Sequence, residues 1–568
     1  MVKIIAKNKE KRFIGVAWPY VNGDLHIGHL AGYLLPADIF ARYSRATGHD
    51  ALMVSGSDCF GTPITIEADK REVSPKVIIK EYHTKDVYLF KNILNLSYDL
   101  YTKTATRNHI KVVQDIFIGL LKNGFIFIDT TKQYYSSKDN KFLPDRYVEG
   151  VCKNCDFLGA RSDQCDHCGK VLEQGDLENP VSKLTGSPVE LKDTQHYFID
   201  WPKLQKNVET YVKKAGPSWK KWVYSETLGW LKQGIKPRAI SRDLDWGVPL
   251  PIDRMPKNLI IKGAEHKRLY VWFDAVIGYL SASILWSKKT GGDWKKFWKD
   301  KSAKHYYFMG KDNLIFHTIF WPGQIMGYDD TLKLPDFLSI NMFLNLNGKQ
   351  FSKSRGVTIP IKDIVEKFGN DPVRFYLTLI MPETKDSSFN WNDFYEKNNE
   401  ILVNNLGNFV HRVLSISFPL KKGLLENIEI RSEIQEMVVK SFKSSKTQLD
   451  RCEFKNFLDT ILTLSSYGNQ YLNEIRLWEL KNGDQNIFKQ NLTQLYVLIL
   501  TLGFLMYPLM PDSASNVFKM LNIDGENKWP ETAGEIDTIN KLLGKIHFNR
   551  KPKVLFRKID IPISTKSE

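Results

Sequence analysis

The first hundred residues alternate between strand-like and helix-like apolar patterns, and this alternation restricts the fold more than any other feature of the chain. The run at residues 13–18, FIGVAW, predicts a buried strand, and the turn-rich PYVNGD follows it. A helical pattern then extends over residues 25–44, and ALMVSGSD at 51–58 predicts a second strand. Strands and helices that alternate at this spacing indicate an α/β fold with a doubly wound parallel sheet. In such a sheet the ligand site lies at the carboxyl ends of the strands.

The pattern changes along the chain and divides it into several units. Residues 125–232 contain short mixed segments, glycine-rich turns and a cysteine cluster, which indicates an insertion into the sheet domain. Alternation resumes near residue 235, and beyond about residue 397 the apolar spacing is purely helical. A chain of 568 residues is long enough for three or four domains. The predicted units are 1–124 and 233–330 as halves of the sheet domain, 125–232 as the insertion, 331–396 as a loop-bearing connector and 397–568 as an α-helical domain.

Two histidines, His26 and His29, follow the first predicted strand at the start of its helix. Such a junction presents unpaired backbone N–H groups and the positive end of a helix dipole to an anion. A spacing of three places both imidazoles on one helical face, and Gly28 leaves room for a flat group. Two imidazole donors here suit the charge that develops on a phosphate during transfer. A histidine pair at this spacing is more often a surface coincidence, but the preceding strand and glycine-containing turn favour catalysis.

A basic loop, KQFSKSRG at residues 349–356, lies more than three hundred residues further along the chain. Lysines and serines around a glycine-flanked loop can form a mobile cationic lid that closes on a triphosphate. Taken alone, such a loop is usually solvated surface, so it supports a function only together with the histidine pair.

Four cysteines form two CxxC pairs separated by nine residues: Cys152, Cys155, Cys165 and Cys168. Six cysteines in a chain of this length do not form a disulfide scaffold, so the cluster indicates a metal site in a reducing compartment. Four thiolates complete the closed tetrahedral shell of a structural Zn²⁺ site, and His167 between them is not needed as a ligand. The same ligand set also holds iron in rubredoxin-like sites, so the pattern leaves the metal open.

The formal charge is +16, from 80 lysines and arginines against 64 aspartates and glutamates. An excess of this size favours a polyanionic partner, although a generally lysine-rich composition would produce it as well. The amino-terminal MVKIIAKNKEKRF lacks the apolar core of a signal peptide. Residues 496–510, YVLILTLGFLMYPLM, are too short for a bilayer span and contain a proline. We therefore expect a buried helix there and a cytoplasmic protein with no membrane segment.

The sequence resembles the methionyl-tRNA synthetase family of class I aminoacyl-tRNA synthetases over nearly its whole length, to about residue 560. His26-Ile27-Gly28-His29 and Phe351-Ser352-Lys353-Ser354 are similar to the HIGH and KMSKS signatures of that class. The other similar segments are AWPYVNGDLHIGHLAGYLLPADIFARY, SGSDCFGTPI, the four-cysteine knuckle, ISRDLDWGVPLP, VWFDAVIGYL, GKDNLIFHTIFWP, FSKSRG and NNLGNFVHR. The resemblance implies a class I Rossmann-like catalytic domain with a zinc-bearing connective insertion, followed by an α-helical bundle that binds the anticodon.

The resemblance also implies a reaction and the residues that perform it. Methionine and Mg²⁺-ATP would give methionyl-adenylate and diphosphate, and the methionyl group would then pass to tRNA(Met). His26, His29 and Lys353 would stabilise the transition state of adenylation. Gln350 stands where the family usually has the first lysine of its loop, and Lys349 precedes it. The resemblance leaves open whether Lys349 takes over that role.

Further positions match the binding residues of the family. ATP is expected at Asn22, Gly28, Gly310, Asp312, Lys349 and Lys353. Methionine is expected among Trp18, Tyr20, Asp58, Trp272, Ala275, Tyr279 and His317. The Asp58 carboxylate would receive the ammonium group, and a thioether packs well against aromatic faces, although most aromatic clusters are ordinary core. The anticodon is expected at Asn408, Arg412 and Trp478, whose side chains suit exposed RNA bases.

Two alternatives remain open from the sequence. Leucyl-, isoleucyl- and valyl-tRNA synthetases share the signatures but carry a much longer insertion than residues 125–232, and a cysteinyl enzyme would need a metal in its amino-acid pocket. A non-catalytic RNA-binding protein would use the knuckle and the basic surface, and would not need His26, His29 and Lys353. Since no appended dimerisation module is recognisable, we expect a monomer.

Overall fold

The computed structural model describes residues 9–560 except 139, 144–146, 163, 164, 166, 169–171, 173, 174, 184, 351–357, 419, 421–424, 427, 524 and 526, and the side chains of 349 and 350. Strands are numbered in chain order. They are β1 (Lys11–Val16), β2 (Asp50–Ser57), β3 (Leu100–Lys103), β4 (Ile126–Ser136), β5 (Lys141–Phe142), β6 (Val148–Cys152), β7 (Leu158–Arg161), β8 (Leu177–Ser182), β9 (Glu190–Ile199), β10 (Arg238–Ala239), β11 (Ser241–Asp243), β12 (Val248–Pro249), β13 (Lys267–Leu269), β14 (Lys304–Gly310), β15 (Phe337–Asn341), β16 (Leu344–Leu346), β17 (Lys349–Gln350) and β18 (Ser387–Phe389).

Helices connect the strands and form the carboxyl-terminal part of the chain. The α-helices are Ile27–His29, Leu35–Ala46, Thr62–Lys70, Pro75–Tyr88, Arg107–Lys122, Trp201–Ala215, Lys221–Gln233, Val271–Asp274, Gly278–Thr290, Lys295–Trp298, Trp321–Tyr328, Ile361–Phe368, Asn370–Leu379, Trp391–Lys397, Asn408–Ser417, Ser432–Asp450, Phe454–Ile475, Leu477–Leu480, Gln485–Met506, Pro511–Met520 and Glu535–Leu543. Wider π-helical stretches, in which hydrogen bonds skip one residue more than in an α-helix, are Leu30–Leu34, Leu89–Ile93, Phe316–Phe320 and Asn398–Gly407.

A parallel sheet in the order β15-β14-β1-β2-β3 forms the centre of the amino-terminal half. Phe13 of β1 pairs with His305 of β14 on one side and with Leu52 of β2 on the other. The chain therefore moves outward in one direction through β2 and β3, and in the opposite direction through β14 and β15. The reversal lies between β1 and β14, and their carboxyl ends form the crevice in which such sheets bind ligands. The predicted doubly wound parallel sheet is confirmed.

The insertion contains two further sheets. Strands β4 and β9 form a long antiparallel ladder, and β7, β6 and β8 form a small sheet beside the cysteines. The apolar residues of this small lobe, including Tyr134, Val148 and Leu177, form a cluster separate from the main core. Trp201 and Leu204 of the helix that follows β9 belong to the main core instead. The end points 125 and 232 of the insertion stay a prediction.

The helices after residue 397 pack as a bundle around Gln485–Met506. Every residue of this helix from Asn491 to Met506 is buried, so the apolar run in the sequence is the core of the bundle. The helix stops before Pro508, and Pro511 starts the next helix at its first position, where a missing N–H costs nothing. Among the described residues, no helix has both the length and the apolar character that a membrane crossing needs.

Candidate functional site

The histidine turn lies at the carboxyl end of β1. His26 is the N-cap of the helix Ile27–His29, and its Nδ1 accepts the Gly28 N–H at 3.2 Å. The Nδ1 of His29 accepts the N–H of His26, also at 3.2 Å, and the two ring centroids are 4.0 Å apart. The sequence predicted both imidazoles on one face of a helix. This prediction is wrong in detail, because His26 precedes the helix and its backbone is extended. Reciprocal capping bonds bring the rings together instead.

These capping bonds also determine where each imidazole carries its proton. Because both Nδ1 atoms accept hydrogen bonds, the neutral form of each ring has its proton on Nε2. His26 and His29 can then act as a pair of Nε2–H donors beside the start of a helical run. An anion at this place would meet two side-chain donors and the positive end of the helix.

Backbone hydrogen bonds join the histidine turn to the segment that follows the basic loop. The N–H of Ile27 donates to the carbonyl of Ile359 at 3.0 Å, and the N–H of Ile361 donates to the carbonyl of Leu25 at 3.0 Å. Residues 349–356 and the histidines are more than three hundred residues apart in sequence. The fold nevertheless brings Ile359 and Ile361, which follow the loop, directly against the turn.

Some of the other residues expected to bind ATP lie near the carboxyl ends of β1 and β14, and others lie outside the described residues. Gly310 ends β14 beside β1, and Asp312 follows in a short 3₁₀ turn. Asn22 is half-buried in the turn after β1. Lys349 is described only by its backbone in β17, and Lys353 lies outside the described residues.

Tyr279 and His317 form a buried hydrogen-bonded pair near the same edge. The hydroxyl of Tyr279 is 2.7 Å from His317 Nε2, and His317 Nδ1 is 2.9 Å from the carbonyl of Asn313. A carbonyl only accepts, so Nδ1 carries the proton and Nε2 accepts the tyrosine hydroxyl. Burial lowers the pKa of His317 to about 4, and the imidazole is therefore neutral at neutral pH.

Three more of the residues expected to bind methionine carry aromatic rings. Trp272 stacks on Phe316 with centroids 4.2 Å apart, and the edge of Tyr20 meets Trp272 at 6.3 Å. Trp18 lies between Gly56 and Gly278, where a Cβ would come within 2.4 Å and 2.6 Å of its ring. Both glycines therefore make space for this indole. Ala275 is half-buried in the segment after Trp272.

Asp58 brings a carboxylate into these apolar surroundings. It is 3% exposed, its backbone pairs with Tyr20, and its side chain accepts the Phe60 N–H at 3.3 Å. Burial raises the pKa of Asp58 to about 7. Burial and the charge of Asp58 raise the pKa of the completely buried Asp274 well above its ordinary value. A bound ammonium group would favour the ionised form of Asp58. Asp274 was not predicted, because its position between two expected pocket residues gave no separate signal.

A cavity of about 360 Å³ opens beside Trp272 and Phe316. Arg238 and Arg242 also line it, and the guanidinium of Arg242 lies 4.4 Å from the ring of Tyr270. A guanidinium here can pair with a carboxylate or a phosphate. The segment ISRDLDWG contributed to the resemblance, but no role was predicted for Arg242. A larger cavity of about 940 Å³ lies between the insertion and the sheet domain.

The four cysteines meet in the small lobe. Their sulfur atoms all lie within 4.8 Å of one another. Cys152 and Cys168 are 4.0 Å apart, and Cys155 and Cys165 are 3.7 Å apart. A tetrahedral Zn²⁺ site with Zn–S bonds of about 2.3 Å needs sulfurs about 3.8 Å apart, so the cluster fits a metal ion. His167 stacks on Phe157 at 5.3 Å instead.

The expected anticodon residues lie together in the helical domain. The guanidinium of Arg412 lies 5.4 Å from the ring of Trp478 and donates to Asn473 at 3.0 Å. Asn408 begins the helix that carries Arg412, one turn before it. The helix Phe454–Ile475 ends at Arg476, whose left-handed φ of 46° turns the chain before Trp478. Trp478 remains 42% exposed and can stack on a base.

Comparison with known proteins identifies the family. A family model described as class I tRNA synthetases (M) matches residues 12–414, and one for the anticodon-binding domain of methionyl-tRNA ligase matches residues 426–562. A methionine–tRNA ligase of Thermomicrobium roseum is 41% identical over 512 residues, which are 89% of this chain and 86% of the relative. The chain belongs to the methionyl-tRNA synthetase family. A second methionine–tRNA ligase, from Roseiflexus castenholzii, is 41% identical over 526 residues, with 90% and 87% of the two chains covered.

Solved methionyl-tRNA synthetase structures have the same fold. The Mycobacterium tuberculosis enzyme in complex with methionyl-adenylate aligns with a TM-score of 0.77 over 96% of this chain and 99% of its own, at 21% identity. The apo form of that enzyme aligns with a TM-score of 0.69. The predicted architecture, a Rossmann-like catalytic domain with a knuckle-bearing insertion and a helical anticodon-binding domain, is confirmed for this methionyl-tRNA synthetase family member.

Proposed function

We propose that His26, His29 and Lys353 perform the adenylation step of this methionine–tRNA ligase. The enzyme attaches L-methionine to tRNA through methionyl-adenylate and releases AMP and diphosphate. The observation that carries the assignment of residues is the histidine pair: two rings 4.0 Å apart at the carboxyl end of β1. The segment after the basic loop adds support, because Ile359 and Ile361 are bonded to the same turn.

In the adenylation step, the methionine carboxylate attacks the α-phosphate of ATP and diphosphate leaves on the opposite side. Negative charge grows on the phosphate oxygens, and the Nε2–H groups of His26 and His29 can donate to them. Lys353 would stabilise the departing diphosphate, and Lys349 would assist it. Asn22, Gly28, Gly310 and Asp312 would position the nucleotide, since all four lie at the ends of β1 and β14 or in the turns that follow. Catalysis here is mainly positioning and charge stabilisation.

Recognition of methionine follows from the buried aromatic group. Trp18, Tyr20, Trp272 and Ala275 would contact the side chain, and a thioether suits aromatic surroundings. The hydroxyl of Tyr279 donates to neutral His317, which would fix the tyrosine ring beside the methionine side chain. The carboxylate of Asp58 would pair with the ammonium group, which offsets the cost of burying both charges.

The tRNA would contact the enzyme at two distant places. Asn408, Arg412 and Trp478 would read the anticodon, with a base stacked on the exposed indole. The terminal adenosine must reach the adenylate, and the cavity between the insertion and the sheet domain would be the place where the end of the tRNA enters. The +16 formal charge agrees with a polyanionic partner.

The four-cysteine cluster would hold one structural Zn²⁺ ion, and Mg²⁺ would enter with ATP. Four thiolates leave no open position for a reacting water, so the ion would only stabilise the lobe. Metal analysis of the purified protein should find about one zinc per chain, whereas iron or no metal would contradict this part of the proposal. We further expect a cytoplasmic protein. We also expect a monomer, which a measurement of its size in solution would test.

The reaction is tested by ATP–diphosphate exchange with each proteinogenic amino acid in turn. Methionine should support exchange, and leucine, isoleucine, valine and cysteine should give only a small fraction of its rate. Exchange that prefers another amino acid would contradict the substrate. The variant Lys353→Ala should lose most of the exchange while retaining its melting temperature, and full activity would remove Lys353 from the mechanism.

A further inference from the structure

A buried ion pair between Asp38 and Arg374 joins three parts of the chain. The Arg374 guanidinium lies 2.8 Å from the Asp38 carboxylate, and both side chains are completely buried. The same guanidinium donates from Nε to the carbonyl of Leu509 at 2.6 Å and from Nη2 to the carbonyl of Pro508 at 3.0 Å. Asp38 lies in the sheet domain, Arg374 in the predicted connector, and the two carbonyls in the helical domain.

The two members of the pair are each continuous with one signature segment. Asp38 lies in the helical run that begins directly after His26, twelve residues further along. Arg374 lies in the second helix after the basic loop, Asn370–Leu379. Ile359 and Ile361, which follow the basic loop, are already bonded to the histidine turn. The ion pair joins their helices a second time, roughly 18 Å along the helix that starts at the histidine turn.

The Asp38 carboxylate is held in a fixed direction. Arg42 contacts it at 2.9 Å, and the N–H and hydroxyl of Ser97 both donate to it at 2.7 Å. Burial alone would raise the pKa of Asp38, but Arg42 and Arg374 hold it well below its ordinary value. A buried ion pair contributes little to stability compared with apolar residues of the same size. Its effect here is to fix the relative positions of the sheet domain, the connector and the helical domain at the place where they meet, which we call the junction.

The helical domain contacts the histidine-bearing helix at further points. The hydroxyl of Tyr43 donates to the carboxylate of Asp450 at 3.0 Å, and the ring of Trp529 packs 5.5 Å from Tyr43. Asp450 ends one bundle helix, and the next helix, Phe454–Ile475, leads from this junction towards the anticodon residues. The junction is therefore the place where a displacement of the helical domain reaches the catalytic helix.

We propose that Arg374 is a positioning residue that couples occupation of the anticodon site to the histidine turn and to the segment that follows the basic loop. This proposal rests on the proposed function as a tRNA-charging enzyme. A guanidinium is planar and directs its N–H groups at fixed angles, so the carbonyls of Pro508 and Leu509 cannot shift without changing the contact with Asp38. A small movement of the helical domain is thus passed to the helix that starts at His26. Packed interfaces transmit such shifts because they have few alternative arrangements.

The test compares charging of tRNA(Met) with charging of the same tRNA carrying one changed anticodon base. The ratio of the two kcat/KM values measures how far the anticodon controls the reaction. In Arg374→Lys, one ammonium cannot replace three directed contacts, and we expect the ratio to fall about tenfold. Binding of an isolated anticodon stem–loop should stay within about twofold of the wild type, since the anticodon residues are untouched.

Two outcomes would overturn the proposal. If charging of both tRNAs falls in proportion and the ratio is unchanged, Arg374 has only a structural role. If stem–loop affinity falls by the same factor as the ratio, Arg374 supports the anticodon site itself. Arg45→Lys is the matched control, because Arg45 forms a 2.7 Å ion pair with Asp99 from the same helix but within the sheet domain, and it should leave the ratio unchanged.

A second variant keeps the test valid if Arg374→Lys does not fold. Tyr43→Phe removes only the hydroxyl that donates to Asp450, and should lower the ratio about threefold. An unchanged ratio in a folded Tyr43→Phe protein would contradict coupling through this junction. A wild-type protein that fails to charge tRNA(Met) would contradict the proposed function instead, and the exchange assay detects that failure separately.

Discussion

The proposed methionine pocket, at the catalytic end of this enzyme, and the proposed anticodon site, at the other end, hold their side chains in different ways. Tyr279 and His317 are 1% and 2% exposed, and both nitrogens of the histidine are hydrogen-bonded. Trp478 is 42% exposed. Arg412 is held by one hydrogen bond to Asn473 and by its contact with the ring of Trp478. A small amino acid enters a preformed buried pocket. An RNA base instead has to reach an open surface and stack on an exposed ring.

The two ends are also separated in space along one helix. The N–H of Phe454 donates to Glu383 at 2.8 Å near the sheet domain, and the same helix carries Asn473 beside Arg412. Its 22 residues extend over about 33 Å. Substitutions at the two ends should therefore affect different half-reactions, and the following predictions test this separation from the largest expected effect to the smallest.

Replacement of His26 should have the largest effect. In His26→Ala, one donor to the developing phosphate charge is lost together with the cap of the helix, and kcat for exchange should fall by a factor on the order of 10²–10³. Methionine-dependent ATP–diphosphate exchange measures this, with methionine binding followed separately. Near-normal exchange in a folded variant would refute the catalytic assignment of the histidine turn.

Replacement of Trp478 should affect only the other end. Loss of a stacking ring costs about 1–3 kcal/mol per base, so Trp478→Ala should reduce kcat/KM for tRNA charging roughly 5- to 150-fold. Exchange without tRNA should remain at the wild-type rate. Trp230, which is 39% exposed in the sequence region of the insertion, provides a matched control: Trp230→Ala should leave the anticodon dependence unchanged. A loss of exchange in Trp478→Ala would contradict the separation of the two ends.

Methionine binding should depend on pH near neutrality, whereas anticodon binding should not, and this difference would distinguish the two ends of the enzyme further. The pKa of Asp58 is raised to about 7 by burial, so in the empty site the carboxyl group is ionised above this pH and protonated below it. The KM for methionine should rise as pH falls through about 7, up to tenfold per unit. His317 stays neutral because its pKa is lowered to about 4. Asp58→Asn should remove the dependence, while anticodon stem–loop binding should not show the same transition.

The smallest effect should come from Tyr279→Phe. Removal of the hydroxyl leaves His317 Nε2 without its donor at 2.7 Å, and the KM for methionine should rise roughly two- to tenfold. Tyr197→Phe is the control, since its hydroxyl donates to the carbonyl of Leu259 at 2.8 Å and accepts the N–H of Ile261 at 3.3 Å, both outside the pocket. An equal rise in both variants would mean that general destabilisation, and not the pocket, determines the KM.

Local sequence patterns predicted the fold and the metal cluster well. They predicted poorly how the histidine turn is capped and which distant residues contact one another. Periodicity is a property of neighbouring residues, so the parallel sheet and the all-helical carboxyl-terminal part could be read from the sequence. The capping arrangement of His26 depends on one backbone torsion, which the spacing to His29 does not reveal. Asp274 and Arg374 became candidates only when packing showed complete burial. Contacts between residues hundreds of positions apart affect neither the helix-like nor the strand-like spacing of apolar residues, so the sequence does not reveal them.

The π-helical stretch at Leu30–Leu34 has a further consequence. An α-helix advances about 100° per residue, and a wide turn absorbs one surplus residue without adding that rotation. Winding the same residues as a regular α-helix would therefore rotate the histidine turn by about 100° relative to Asp38. Another such stretch contains His317, and a third ends at the residue before Asn408. A protein engineer who regularised these helices for stability would thereby turn away side chains that we propose to act at both ends of the enzyme.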